Sequence, residues 1–138
     1  MKRIICFVLL AFMLCSILPI SAFAESNMNT RDSNYFASYG VHLTRRDDGR
    51  IKIVFSASGT GMCDQIGVAT YEIMEKDDNG NWDEFSGLLS GRTASNVQSY
   101  TFSKYFTPNE GKQYRVKCTF ACTIGGSTEY KAYTSGTI

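Results

Sequence analysis

The chain has few of the features that mark a known class of enzyme or a nucleic-acid-binding protein. It contains one histidine, His42, and no Gly-x-Ser-x-Gly motif, so no serine-hydrolase site is expected. No segment sustains a helical period of apolar residues. The 14 Lys and Arg residues nearly balance the 13 Asp and Glu residues and are spread evenly along the chain. This balance argues against nucleic acid or an anionic membrane surface as the partner.

Residues 1–24 have the layout of a secretory signal peptide. Lys2 and Arg3 precede an apolar run over residues 4–20, and small residues close the segment at Ala24. This layout predicts cleavage after Ala24 and a mature chain that is secreted and works in the extracellular space.

Two alternatives remain open for this segment. A retained membrane anchor is less favoured because Ser16 and Pro19 interrupt the apolar run. A lipoprotein would use Cys15, but the residues before it lack the small side chains of a lipobox.

Cleavage removes residues 1–24 from the 138 and leaves 114, enough for one domain. No second hydrophobic segment follows, so we expect no membrane span in the mature chain. The oligomeric state stays open.

The remaining chain has the pattern of an all-β domain. Residues 25–34 are polar and aperiodic, which predicts a flexible leader, and the domain is expected over residues 35–138. Short alternating apolar segments recur between clusters of Gly, Asn and Asp. They predict seven strands, over residues 36–44, 51–58, 66–76, 82–85, 99–106, 113–123 and 128–134. Seven strands in a domain of this size predict a single immunoglobulin-like or fibronectin-III-like β-sandwich, with an irregular connection over residues 86–98.

Two aromatic residues refine this prediction. Tyr114 begins a strand just after a turn that runs from Pro108 to Gly111, as the tyrosine of a tyrosine corner does. Trp82 is a candidate to fill the core, but it follows the third predicted strand instead of lying within it. That position favours a fibronectin-III-like domain over a true immunoglobulin domain.

The segment over residues 51–122 resembles a group of small secreted proteins of Gram-positive bacteria that have no assigned activity. The resemblance rests on Ile66-Gly67-Val68, on Trp82 after a charged turn, and on Gly111-x-x-Tyr114-x-Val116 followed by Gly125-Gly126. It implies a β-sandwich and supplies no function.

Three cysteines remain in the mature chain, Cys63, Cys118 and Cys122. In a compartment where disulfides form, this odd number predicts one pair and one thiol. Cys118 and Cys122 share one face of a strand roughly 13 Å apart and cannot bridge each other. In a sandwich, the strand that ends near Cys122 reaches the end of the domain where Cys63 lies. This favours Cys63 with Cys122 over Cys63 with Cys118, and three free thiols are the remaining alternative. With His42 as the single imidazole, neither a metal site nor a catalytic cysteine is expected.

Residues 77–83 carry oxygen-bearing side chains at every second position, as a calcium-binding loop does. The pattern departs from an EF-hand loop because Trp82 replaces the glycine and Leu88 replaces the bidentate glutamate. The Asn-Gly pair at 79–80 predicts a hairpin turn, and weak calcium binding stays an alternative. No cofactor is expected.

Charged and aromatic side chains on the predicted strands offer two surfaces. Arg115 and Lys117 are expected to pair with Glu72 and Glu75 across two strands, with an anion-binding stripe as the alternative. The first and last predicted strands carry four tyrosines. Those whose rings face outward would form a contact surface, and packing in the core is the alternative. These tyrosines are Tyr35, Tyr39, Tyr130 and Tyr133.

The sequence therefore predicts a secreted, non-enzymatic β-sandwich that binds an extracellular protein or glycan at the cell envelope or in the medium. The alternative is a secreted inhibitor or small toxin that acts on another protein through the strand edge at residues 128–134. An enzyme would need a pocket in which titratable groups converge, for instance His42 beside a carboxylate.

Overall fold

The computed structural model describes residues 33–138, which form one curled antiparallel sheet of seven strands. The strands are β1 (Phe36–Arg45), β2 (Ile51–Lys76), β3 (Trp82–Glu84), β4 (Leu89–Ser90), β5 (Thr93–Phe106), β6 (Tyr114–Ile124) and β7 (Ser127–Thr134). The predicted all-β class is confirmed. The predicted signal peptide and residues 25–32 of the predicted leader lie outside the described residues. Over residues 33–138, no helix has the length and apolar character to cross a membrane.

The sheet is built around β2, which is 26 residues long. Its first part, residues 51–58, lies between β1 and the second part of β5. Its second part, residues 65–76, lies between β6 on one side and β3, β4 and the first part of β5 on the other. β7 pairs with β6. Both β2 and β5 therefore contribute to two parts of the curled sheet.

The loop expected between residues 58 and 66 is absent from the described chain, because β2 continues through it. Gly59 still pairs with Phe36 of β1, and Cys63 pairs with Val97 of β5. A register shift in the β5 pairing separates Ser58 from Cys63 and accommodates the change of direction. The neighbouring strands supply the hydrogen bonds that keep this glycine-rich stretch extended.

The irregular connection predicted over residues 86–98 is also wrong in large part. β4 occupies two of these residues and pairs with Thr70 and Tyr71 of β2, and β5 begins at Thr93. The Ser, Gly and Asn content of this segment suggested a loop, but pairing with β2 overrides local propensity.

The core lies inside the curl and is lined by alternate residues of β1, β2 and β6, as a period of two requires. Tyr39 of β1 packs against Phe120 of β6, with ring centroids 5.4 Å apart, and against Tyr133 of β7 at 6.2 Å. The inner face of β1 therefore meets the inner faces of β6 and β7. The largest fully buried side chains are Tyr114, Phe55, Phe120, Ile51, Ile53, Ile66, Val68, Val116, Cys63 and Cys122.

Tyr114 has the contacts predicted for a tyrosine corner. Its ring is fully buried, and its hydroxyl accepts a hydrogen bond of 2.7 Å from the backbone N–H of Asn109. The same hydroxyl donates to the carboxylate of Glu75. Burial, together with the hydrogen bond to Glu75, raises the pKa of Tyr114 to about 12. The turn before β6 is thereby tied to the side chain that starts the strand.

Candidate functional site

The four candidate contact tyrosines lie in different environments. Tyr39 is 3% exposed and belongs to the core, so the expectation of a contact surface is wrong for this residue. Tyr35 and Tyr133 are partly buried and pack against the core. Burial also raises the pKa of Tyr133. Tyr130 is 62% exposed. Of the four tyrosines, Tyr130 is therefore the one that is mostly exposed.

Tyr130 lies in a row of small side chains that crosses the outer face of the sheet. It is opposite Ala121 of β6, which is opposite Gly67 of β2, and Gly67 is opposite Thr93 of β5. Ala121 lies between the buried residues Phe120 and Cys122, so alternation places Ala121 and Tyr130 on the outer face. The exposed ring of Tyr130 therefore stands beside the small side chain of Ala121, and Gly67 beyond it is buried against the backbone of Arg92 and Thr93.

The next row of the same face carries hydroxyl and amide groups. Thr128, Thr123, Gln65 and Ser95 are opposite one another on successive strands. The hydroxyls of Thr123 and Thr128 are hydrogen-bonded at 2.8 Å, and the Gln65 amide donates to the Thr93 hydroxyl at 2.9 Å. We call the surface formed by these two rows the Tyr130 face. It consists of the uncharged residues Gln65, Gly67, Thr93, Ser95, Ala121, Thr123, Thr128 and Tyr130.

Trp82 does not fill the core, contrary to the sequence prediction. It is partly buried at the start of β3, and the guanidinium carbon of Arg115 lies 4.3 Å from its ring centroid. The ammonium group of Lys76 lies 5.8 Å from the same centroid. Met74, opposite Arg115 in the register, is buried outside the main core. Trp82 therefore lies against the outer face of the sheet. There the cations of Arg115 and Lys76 are favourable partners for its ring.

The predicted pairing of Arg115 and Lys117 with two glutamates is confirmed for one pair. Lys117 is opposite Glu72 in the register, and their charged atoms are 3.4 Å apart. Glu75 instead accepts hydrogen bonds from Tyr114 and from the side-chain amide of Asn109 at 2.8 Å. Arg115 stacks on Trp82, and its buried Nε has no hydrogen-bond partner within residues 33–138.

The structure brings the predicted cysteine pair together. The sulfur atoms of Cys63 and Cys122 are 3.2 Å apart, and both residues are buried as free thiols. Burial, followed by the contact with Cys63, raises the pKa of Cys122 to about 12. Cys118 is opposite Tyr71 and Tyr133 in the sheet register, and burial raises its pKa to about 12. Of the two predicted partners of Cys63, the structure places Cys122 next to it.

His42 is not in the same part of the molecule as the cysteine pair. It lies on β1 opposite Val54, between the buried residues Val41 and Leu43, so its side chain is on the outer face. The cysteines are inside the curl. This arrangement does not form the base and nucleophile of a cysteine hydrolase.

The segment over residues 77–81 is the predicted hairpin turn between β2 and β3. One carboxylate oxygen of Asp77 accepts hydrogen bonds from the backbone N–H groups of Asn79 and Asn81, and the other accepts from the Asn81 amide. These bonds lower the pKa of Asp77, the largest contribution coming from the Asn81 backbone. Within the described residues, no cluster of three or more His, Cys, Asp or Glu side chains is placed to hold a metal ion.

Sequence reasoning missed the role of Glu129 on β7. Its carboxylate accepts hydrogen bonds from the Ser33 hydroxyl at 2.8 Å and the Tyr35 backbone N–H at 2.9 Å. It also forms a 3.0 Å ion pair with Lys131. The period of two along β7 was the available signal, because it places Glu129 on the face opposite Tyr130. The last residues of the predicted leader are thus attached to the domain.

Comparison with known proteins does not identify a family. No family model matches the chain, and no curated protein is significantly similar to it. Among solved structures, the chain is similar to a protein from Archaeoglobus fulgidus, at 16% sequence identity and a TM-score of 0.39. The match covers 75% of this chain and 95% of that chain.

Proposed function

We propose that the chain is a secreted, non-enzymatic binding module with a fibronectin-III-like β-sandwich, and that its ligand is a glycan at the cell envelope or in the medium. The strand pairing supports the sandwich. β1, the first part of β2 and the second part of β5 are neighbours, as the A, B and E strands are in such domains. The second part of β2 is followed by β6 and β7, as C is by F and G.

The observation that carries the binding proposal is the exposure of Tyr130 beside small and hydroxyl-bearing side chains. An aromatic ring offers a flat apolar surface to the carbon-bound hydrogens of a sugar, and its hydroxyl offers a hydrogen bond. Thr123, Thr128 and Gln65 add donors and acceptors that fit sugar hydroxyls. The small side chain of Ala121, opposite Tyr130, leaves room for a sugar ring to lie against Tyr130. Because the Tyr130 face is uncharged, it suits a neutral glycan.

The secreted location rests on the signal-peptide layout of residues 1–24. The relation to small secreted proteins of Gram-positive bacteria rests on sequence motifs. The non-enzymatic character is supported by the positions of the two nucleophile candidates, Cys63 and Cys122, which are buried away from His42.

The strand-edge alternative has less support. β7 pairs with β6 alone among the described strands and is therefore an edge. However, its inner face carries Glu129 and Lys131, which form an ion pair. Inward-facing charges on an edge strand are one way in which natural sheets discourage the addition of another strand.

The experiment is sedimentation of the full chain with isolated insoluble cell-wall glycan of Gram-positive bacteria, compared with the Tyr130→Ala and Tyr105→Ala variants. Tyr105 is a matched control because it is 48% exposed on β5, outside the Tyr130 face. We expect the parent chain and Tyr105→Ala to bind equally and Tyr130→Ala to bind about tenfold more weakly, as for a central aromatic contact. Equal binding by all three chains, or no binding by the parent chain, would overturn the proposal.

A further inference from the structure

The backbone around Cys63 makes room for its sulfur atom. A Cβ atom placed on Gly59 would lie 2.3 Å from the Cys63 sulfur, a distance that no side chain accommodates without a shift. The Cys63 sulfur is 3.4 Å from the carbonyl oxygen of Gly61. The bend of β2 thus turns the Cys63 side chain into the core, towards β6.

The position of Cys122, whose sulfur meets that of Cys63, is determined by the pairing of β2 with β6. Cys122 is opposite Ile66, three residues after Cys63, and the exposed fractions of Cys63 and Cys122 are 1% and 0%. Their sulfur atoms, 3.2 Å apart, need to approach by about 1.2 Å to reach the roughly 2.05 Å of a disulfide bond.

We infer that Cys63 and Cys122 form an intramolecular disulfide when the chain folds in an oxidising compartment, and that Cys118 stays a thiol. The co-reactant is an external disulfide, either a small molecule or a protein. One cysteine thiolate attacks it and forms a mixed disulfide, and the second thiolate displaces the remaining external sulfur. The two cysteines lose two electrons and two protons in total, and the external disulfide leaves as two thiols. The compartment follows from the proposed secretion, but the chemistry does not depend on glycan binding.

Cys118 is separated from this reaction by its position in β6. It is four residues before Cys122, roughly 13 Å along an extended strand. Its neighbours across the sheet are Tyr71 and Tyr133, and neither carries a sulfur atom.

The N-terminal segment of the domain covers the cysteine pair. The carbonyl oxygen of Tyr35 lies 3.8 Å from the Cys122 sulfur and accepts a 2.8 Å hydrogen bond from the Thr60 backbone N–H. Glu129 holds the same segment through Ser33 and Tyr35. In the folded protein this segment therefore shields the bridge from external reductants.

The test begins with the mature chain, residues 25–138, refolded in mixed reduced and oxidised glutathione. The sample is denatured without reductant, free thiols are alkylated with iodoacetamide, and tryptic peptides are analysed by mass spectrometry. Cys118 and Cys122 fall in the same tryptic peptide, residues 118–131, so fragmentation between them is needed. We expect Cys63 linked to Cys122, with Cys118 alkylated. Alkylation of both Cys63 and Cys122, or a link to Cys118, would overturn the inference.

Two sets of variants extend the test. Cys118→Ser should keep the link, whereas Cys63→Ser and Cys122→Ser should each abolish it, and the mapping of the parent chain stays decisive if a variant fails to fold. Glu129→Gln should increase the rate of bridge reduction by tris(2-carboxyethyl)phosphine about tenfold, because it weakens charge-assisted hydrogen bonds to the covering segment. Glu110→Gln, an exposed turn residue, is the matched control. Equal reduction rates would overturn the shielding role of residues 33–35.

Discussion

Gly91 lies so close to Val68 that a Cβ atom on Gly91 would be 2.1 Å from the Val68 carbonyl oxygen. The backbone N–H of Gly91 donates a 2.9 Å hydrogen bond to the carbonyl of Ala69. Nearby, Gly67 has φ of +152°, and a Cβ atom placed on it would be 2.2 Å from the Arg92 carbonyl oxygen. The segment between β4 and β5 is therefore pressed against β2 at two glycines. It leads into β5, whose first residue, Thr93, belongs to the Tyr130 face.

This close approach predicts that Gly91→Ala lowers the free energy of unfolding by about 1 to 3 kcal/mol, because backbone must move to admit the methyl group. Gly61→Ala is the control, since a Cβ on Gly61 meets nothing within 4 Å. It should be neutral or stabilising by up to roughly 1 kcal/mol. Urea unfolding followed by fluorescence measures both values, and equal destabilisation by the two variants would contradict the close approach.

The hydroxyl of Tyr114 predicts a second stability effect. Tyr114→Phe keeps the buried ring but leaves the Asn109 N–H and the Glu75 carboxylate without this partner. We expect a loss of about 1 to 3 kcal/mol in the free energy of unfolding. Tyr105→Phe, at an exposed ring, should change it by less than about 0.5 kcal/mol. Thermal and urea unfolding of the two variants provide the measurement, and a neutral Tyr114→Phe would refute the corner contact.

Trp82 and Phe55 should differ in their contribution to stability. Phe55 is 1% exposed and stacks on Phe102 with ring centroids 4.8 Å apart, so Phe55→Ala should cost about 3 to 5 kcal/mol. Trp82→Ala removes the contacts with Arg115 and Lys76 on the outer face and should cost about 1 to 2 kcal/mol. The free energies of unfolding of both variants test the difference. A larger loss for Trp82→Ala than for Phe55→Ala would contradict the placement of Trp82 outside the core.

Glu129 predicts an acid-dependent loosening of residues 33–35. Burial disfavours its charged form, but hydrogen bonds from Lys131, Ser33 and Tyr35 outweigh this effect and lower its pKa below the usual 4.5. A carboxyl whose pKa is lower in the folded state stabilises the fold above its unfolded pKa and loses this contribution as the pH falls through its folded pKa. Unfolding free energies between pH 7 and pH 3 should therefore fall less steeply for Glu129→Gln than for the parent chain. Parallel curves would show that Glu129 contributes nothing to the acid dependence.

Several features of the fold follow from local patterns in the sequence. Alternation of apolar residues predicts strands, and it placed β1, β6 and β7 within one or two residues of their observed ends. Lys117 and Glu72 were expected to pair, because outward residues of adjacent strands meet at fixed spacing. The position of Tyr114 after a turn indicated its buried hydroxyl. The selection of Cys122 over Cys118 as the neighbour of Cys63 also agrees with the distances in the structure.

The sequence by itself determined an all-β chain and the hairpin turn at residues 77–81, because these depend on neighbouring residues. Only the tertiary structure decided that β2 runs unbroken past Gly59, since partners far along the chain supply its hydrogen bonds. The same holds for the tyrosines. A period of two divides residues between two faces but does not say which aromatic ring is covered, and the curl of the sheet buries Tyr39 while it leaves Tyr130 exposed.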